Sequence, residues 1–321
     1  MPKRKVQRSG WRSVQRQSKI KKKTKLALLV LGFLLSFFLL SGLIRAAKLI
    51  HSSNYTWNGE FNLTLVFRKP LSISSYNPKE KKVTILTIPD ATLIDVPFGF
   101  GLWQARSIYN LGGDKLLKTS LSKFFGIHID ALASEDLVDL FRRNLFSGIS
   151  SLPYLDSDLT PLELVRLKIS LIGVRFDKVK RIDLMDLMVL EKQKLLDGTE
   201  VFVADPIRLD SILSDFVDFE IKKEHLSVAV FNATDKPLLA KDAKRLIENL
   251  GGNVIVTQNA PRILEKSYVE GLDSKTLKRL IQIFDQGCYG LKAKCDKIAR
   301  ADLGVVESRA QIIVVLGQDF P

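Results

Sequence analysis

Apolar positions along the chain follow three patterns. The first is an unbroken run, Leu26 to Ile44, of 19 residues with no charge and only Ser36 and Ser41 as polar side chains. As a helix it measures about 28 Å, close to the roughly 30 Å hydrocarbon core of a bilayer, which predicts a transmembrane helix. Gly32 and Gly42 are too far apart to form a GxxxG face. The second pattern is a set of short apolar, β-branched runs. It predicts strands at Phe61–Phe67, Pro70–Tyr76, Val83–Ile88, Val201–Val203, Leu226–Phe231, Asn253–Thr257 and Gln311–Leu316. The third is helical spacing. It sets in from Leu102, and it predicts Lys115–Phe125 behind a Gly112-Gly113 break with Asp114 as N-cap, and a helix capped by Ser134 with Leu137, Leu140, Phe141 and Leu145 on one face. Further helices are expected from Asp158, Thr160 and Pro161 to Ile172, over Leu209–Phe216, from Pro237 in a first turn to Leu250, and from Ser274 to Asp285. Asp90–Gly101, with Pro97, Gly99 and Gly101, is expected to be loop.

These elements divide the chain into a tail (1–25), the span (26–44), a polar linker (45–60), an α/β domain (61–222) and a compact C-terminal β-α-β-α-β unit (223–321). Strands mixed with helices of 10–15 residues set the fold class as α/β.

Charge orients the span. Residues 1–25 carry eleven Lys or Arg and no acid, while only Arg45 and Lys48 follow closely on the far side. The positive-inside bias puts the N-terminus in the cytoplasm and everything after about residue 45 outside, as a single-pass plasma-membrane protein. The competing reading is a cleavable signal peptide ending at Arg45-Ala46-Ala47-Lys48; the apolar run is longer than the usual core of such peptides, and its basic region is long. The formal net charge of +14 would point to nucleic acid. Removing the eleven tail charges leaves 49 − 11 = 38 basic against 35 acidic residues, a nearly neutral body. The tail therefore reads as a topology signal lying on anionic lipid, and no nucleic-acid partner is expected.

Candidate chemistry is sparse. The sequence has no GxSxG, Walker, HExxH or CxxC motif, and His51, His128 and His225 have no zinc-ligand spacing. Neither cofactor nor metal is expected. Gly99-Phe100-Gly101 lacks the setting of a dinucleotide fingerprint, and Gly251-Gly252 is a helix stop. Asn54, Asn62 and Asn232 each open an Asn-X-Thr triplet. Outside the cytoplasm a Cys288–Cys295 disulfide closing a short loop is feasible, and two buried thiols are the alternative.

Several segments carry a resemblance. Asn77-Pro78-Lys79-Glu80-Lys81-Lys82-Val83 runs into Thr84-Ile85-Leu86-Thr87-Ile88-Pro89. Ile108-Tyr109-Asn110-Leu111-Gly112-Gly113 is followed by Phe125-Gly126-Ile127-His128-Ile129-Asp130. Near the end stand Val228-Ala229-Val230-Phe231-Asn232-Ala233-Thr234, Leu239-Ala240, and Ile312 to Asp319. With the basic tail and single span, these segments resemble the LytR-CpsA-Psr family of bacterial cell-envelope proteins, the last three its LytR C-terminal domain. The resemblance implies an external α/β domain that takes a glycopolymer from a polyprenyl-pyrophosphate carrier to the cell wall. In that chemistry carboxylates hold Mg²⁺ and arginines neutralise the pyrophosphate.

The chain departs from the family where that chemistry resides. Residues 61–79 contain no acid, and Lys69-Pro70 falls where the family's metal-binding Asp should be. Ile88-Pro89-Asp90-Ala91-Thr92 lacks the phosphate-binding Arg, so a negative charge stands where negative charge would bind. Arg166, Arg175, Lys180 and Arg181 lie in the region of the later Arg cluster at different spacing. Arg68, Lys69, Asp90 and Arg106 are the candidate site residues within matched segments, with solvated loop residues as the alternative. The expectation is a membrane-anchored, non-catalytic envelope protein binding wall polymer or envelope partners through its C-terminal domain. The alternative is a glycopolymer transferase with rearranged ligands and Mg²⁺. A transcriptional regulator, the role in the family's historical label, does not fit a 25-residue tail without a helix-turn-helix.

Overall fold

The computed structural model describes residues 57–133, 157–285 and 308–320. Leu26–Ile44, the Ser134 helix, Cys288 and Cys295 lie outside these residues. Among the described residues no helix is long and apolar enough to cross a membrane.

The chain begins with strands β1 (Leu63–Arg68), β2 (Leu71–Asn77) and β3 (Lys82–Thr87). A hairpin of β4 (Leu93–Val96) and β5 (Gly101–Gln104) leads into helix α1 (Ala105–Phe125) and strand β6 (Ala131–Ala133). Helix α2 (Pro161–Leu171), strands β7 (Val179–Asp183), β8 (Leu190–Lys194) and β9 (Glu200–Ala204), and short helices α3 (Pro206–Ser211) and α4 (Phe219–Glu224) follow. The last part is β10 (Ser227–Asn232), α5 (Leu239–Asn249), β11 (Asn253–Asn259), β12 (Tyr268–Gly271), α6 (Lys275–Phe284) and β13 (Ile312–Leu316).

The first sheet has the order β6-β1-β2-β3-β7. Period-two alternation sends Leu63, Leu65 and Phe67 to one face and Val66 to the other, and likewise Val83 and Ile85 against Leu86 and Ile88. One face packs on α1 and the β4–β5 hairpin, the other on α2 and Trp57. Trp57, within the polar stretch expected to be linker, is fully buried; its indole N–H donates to Phe61 O at 2.8 Å. Helix α2 begins as its sequence predicts. Thr160 accepts from Glu163 N at 3.3 Å and Glu163 Oε2 accepts from Thr160 N at 2.8 Å, a complete capping box.

Three expectations are corrected here. The 90–101 stretch is a hairpin rather than loop, because Leu93–Val96 pairs antiparallel with Gly101–Gln104 around a turn at Phe98 and Gly99, both with positive φ. The helical period expected from Leu102 starts three residues later, at Ala105, since Leu102 to Gln104 belong to β5. Pro237 precedes α5 rather than opening it: Leu238, with φ of 66°, is the N-cap and breaks the chain direction between them.

The second sheet has the order β11-β10-β13-β12, with β10 parallel to both neighbours and β12 antiparallel to β13. The C-terminal unit is thus β-α-β-β-α-β, one strand more than expected. Both α5 and α6 cover the same face, over Val228, Val230, Ile312 and Val314.

Two polar seams join the sheets. Arg245 of α5 grips Asp210 of α3, with Nη2–Oδ1 at 2.7 Å, and donates to Lys123 O and Phe124 O at the end of α1. In this way it satisfies carbonyls that a helix end leaves open. At the other seam Lys275 of α6 pairs with Glu60, just ahead of β1, at 3.0 Å, and Glu224 accepts from Lys275 N at 2.9 Å and Thr276 N at 2.8 Å, placing a carboxylate on the positive end of α6.

Candidate functional site

The carboxyl ends of β10 and β11 gather their connecting loops on one side of the second sheet. β11 and β13 flank β10 on opposite sides, the kind of place where open α/β sheets form ligand crevices. Here a crevice of about 270 Å³ is lined by Asn232, Thr234, Lys236, Asn259 and Arg262, among others. Asn232 builds its floor. It is 4% exposed; its Nδ2 donates to Lys236 O at 2.8 Å, and its Oδ1 accepts from Thr234 N at 3.1 Å and Thr234 Oγ1 at 2.7 Å. Thr234 Oγ1 accepts in turn from Lys236 N at 3.1 Å. The turn is thereby held by side chains, which is how Asn and Thr stabilise loops. Lys236, Asn259 and Arg262 stand exposed on the rim with one acid, Asp235. Two guanidinium or ammonium groups beside hydroxyl and amide groups suit an anionic, hydroxyl-rich ligand. The same contacts fix the Asn232 side chain inside the fold, and Asn62 is buried at 2% exposure, so neither triplet presents its amide to solvent.

The residues singled out from the sequence lie at the far end of the first sheet. Arg68 Nη1 donates to Tyr109 Oη at 2.8 Å, lies 3.6 Å from Asp114 Oδ1, and sits 5.0 Å from the Tyr109 ring centroid. Lys69, Asp90 and Arg106 are exposed. Asp90 and Arg106 meet through the main chain, Arg106 N donating to Asp90 O at 3.2 Å. The more distant cations have local partners as well: Arg166 holds Trp57 O at 3.2 Å, Arg175 pairs with Asp177 at 3.1 Å, and Lys180 pairs with Asp215 at 3.1 Å. None of these groups lines the crevice, and Lys180 lines a separate open hollow with Glu80, Lys82 and Asp177.

A larger cleft, about 380 Å³, runs between α1 and the second sheet past Lys118, Ser122, His128, Ser267, Phe284 and Asp319. It abuts a cluster of buried charges whose pKa values are shifted. Asp130 is 1% exposed and accepts from Thr64 N at 2.8 Å and from Arg279 Nη1 at 3.0 Å. Burial alone would raise its pKa, but Arg279 and His128 outweigh burial and hold it below the usual carboxylate range. Asp218, 3.9 Å from Arg279 Nε, has its pKa raised by burial against the pull of Arg279. His128 is pushed down to about 3 by burial; the attraction of Asp130 is insufficient, and Arg279 and Lys118 repel the proton. Burial also lowers Lys118, opposed by Asp130 and Asp158, and Lys118 Nζ donates to Asp130 O at 2.6 Å.

Such shifts in a cleft mark either a reactive site or a structural ion-pair network. Here the partners decide. Arg279 also donates to Asn62 O at 3.1 Å and Gln282 Oε1 at 2.8 Å and lies 5.5 Å from the Phe61 ring centroid, so it ties α6 to β1. Along the cleft Ser122 donates to Ile127 O at 2.6 Å and Ser267 Oγ to Asp319 Oδ1 at 2.7 Å. The cleft is a seam between the sheets. Among the described residues no group of three or more His, Cys, Asp or Glu is placed to hold a metal ion. The crevice was not singled out from the sequence, where 232–236 reads as a turn. The available signal was a polar Asn-X-Thr-Asp-Lys turn at the carboxyl end of an apolar strand.

The structural neighbours of the chain are LytR-CpsA-Psr family proteins. They include TagV of Bacillus subtilis, 12% identical over 61% of this chain and 100% of that one, with a TM-score of 0.39. The B. subtilis protein YwtF (TagT) with bound octaprenyl pyrophosphate lipid is 13% identical over 48% of this chain and 89% of that one, with a TM-score of 0.36. A protein described as the transcriptional regulator yvhJ from B. subtilis is 14% identical over 47% and 94%, with a TM-score of 0.37. No family model matches the chain, and no curated protein does. At these identities and scores the likeness carries no argument about the site or the activity.

Proposed function

We propose that the chain is a cell-envelope protein anchored by Leu26–Ile44, with its folded body outside the membrane. In this reading it binds an anionic wall glycopolymer in the crevice at the ends of β10 and β11, without transferring it. The observation that carries the reading is the crevice itself, a side-chain-braced floor with Lys236 and Arg262 on its rim. The runner-up is transfer from a polyprenyl-pyrophosphate carrier with Mg²⁺. Binding is favoured over transfer because Arg68 is engaged by Tyr109 and Asp114, while Asp90 and Arg106 share only a main-chain contact.

The test uses the full chain in detergent, sedimented with isolated cell walls. The wild type should co-sediment. The double substitution Lys236→Glu, Arg262→Glu should weaken retention about tenfold or more, the effect of losing at least about 1.4 kcal/mol of attraction. Equal retention of the two proteins sinks the crevice as the binding site. Mg²⁺-dependent turnover of a polyprenyl pyrophosphate, lost in Arg106→Ala, would establish the transferase instead.

A further inference from the structure

The β4–β5 hairpin inverts the expected pattern on its outer face. Its inner positions Ile94 and Val96 are buried, as a strand packed on a core requires. Its outer side and turn should then be polar, yet Phe98 is 60% exposed, Phe100 45% and Leu102 67%, and Trp103, paired with Ile94 on the inner side, is still 39% exposed. Phe98 adopts a φ of 65°, uncommon for a bulky side chain, between glycines and proline that leave open space around the turn. The Trp103 Nε1–H donates to Phe100 O at 2.8 Å, so the indole can leave water without losing its bond. The one carboxylate on the outer face, Asp95, stands opposite Leu102 and is paired with Lys123 at 2.8 Å. Arg106, exposed, follows three residues after Trp103.

We propose that this hairpin turn is where the folded body touches the lipid bilayer to which the chain is anchored. Apolar and aromatic side chains at a tip, with a cation behind them, match the chemistry of a membrane interface, where such groups sink about 5–10 Å into the headgroup region. Tether length selects the bilayer as occupant. Twelve residues separate Ile44 from Trp57, so the body begins at most about 45 Å from the membrane surface. At that range a contact too weak to recruit a free protein suffices to orient a tethered one. The proposal rests on the anchored reading above.

The full chain carrying Trp11→Phe, which leaves buried Trp57 and exposed Trp103, is reconstituted in phosphatidylglycerol–phosphatidylethanolamine vesicles. Flotation reads the anchor, and quenching by brominated acyl chains reads the contact. Wild-type hairpin protein should float and show quenched, blue-shifted Trp103 emission. Adding Trp103→Phe should remove the quenched component. The triple substitution Phe98→Ser, Phe100→Ser, Leu102→Ser should still float and keep Trp57 emission, but lose the quenching. A protein that floats with unquenched Trp103, or whose quenching survives Trp103→Phe, overturns the contact and leaves the anchor standing. A protein that fails to float overturns the anchor and the contact with it.

Discussion

Arg279 and Lys236 are both cations set among side-chain and main-chain oxygens. One side chain is 1% exposed and surrounded by Asp130, Asp218, Gln282 and the Asn62 carbonyl. The other stands at a rim, its Nζ 3.1 Å from Phe320 O, above a turn that Asn232 has already braced. The buried cluster has the large pKa shifts and adjoins the larger cleft, the usual marks of a reactive site. Its polar groups nevertheless face one another across a seam between two sheets. The exposed cluster has no such marks, and its cations stand at solvent beside a braced turn. In this molecule electrostatic perturbation reports architecture, and the proposed binding role falls instead to exposed cations beside a braced turn.

The strongest way to break that contrast is to remove the buried cation. Arg279→Met should destabilise the fold by about 3–5 kcal/mol, because it strands two buried carboxylates. Adding Asp130→Asn should recover part of the loss, with a coupling on the order of 0.5–3 kcal/mol in a double-mutant cycle by urea unfolding. The fraction that remains folded should bind isolated walls as the wild type does. Wall binding lost without a loss of stability would make Arg279 part of a ligand site.

A titration sharpens the same point. His128 is neutral in the fold until about pH 3, whereas its ordinary value is 6.5. Between those values the unfolded chain binds more protons, so stability falls as pH drops, by up to about 1.4 kcal/mol per unit. Asp218, raised by burial, acts in the opposite sense above its ordinary 3.8, and Asp130, held low, adds its own loss of stability below that value. Unfolding free energies between pH 6.5 and 5 should therefore show a slope in the wild type worth roughly 1–2 kcal/mol over that window, flattened in His128→Asn. An unchanged slope in the variant would place the titrating group elsewhere.

Much of the fold was legible in the sequence wherever a residue's neighbours in space are also its neighbours in sequence. Thr160 and Ser274 cap their helices as expected, and β1, β3, β10 and β13 announce themselves by apolar alternation or runs. What escaped depends on distant partners. β7 reads Val-Lys-Arg-Ile-Asp and is largely exposed, a strand only because β3 lies beside it in parallel. β12 is four residues ending in Gly271 and is defined by its pairing with β13. Arg279, between apolar positions of an amphipathic helix, looks like part of a solvated face; its burial depends on Asp130, 149 residues away. The crevice escaped for the same reason, since Asn232 and Arg262 meet only once β10 and β11 are paired.

The smallest effects lie in the crevice, where floor and rim should separate. Asn232→Ala removes the donor to Lys236 O and the acceptor for Thr234, and should cost about 1 kcal/mol, the net worth of a typical hydrogen bond or two at a partly solvated site. Lys236→Ala touches only the exposed rim and should stay within about 0.5 kcal/mol of wild type. Retention on isolated walls should nonetheless fall in both, because the first lets the cation wander and the second deletes it. A Lys236→Ala protein less stable than Asn232→Ala would make the rim structural and erase its contrast with the Arg279 seam. Unaltered retention in Asn232→Ala would mean that the cations bind without their floor, and that the braced turn is a feature of the fold alone.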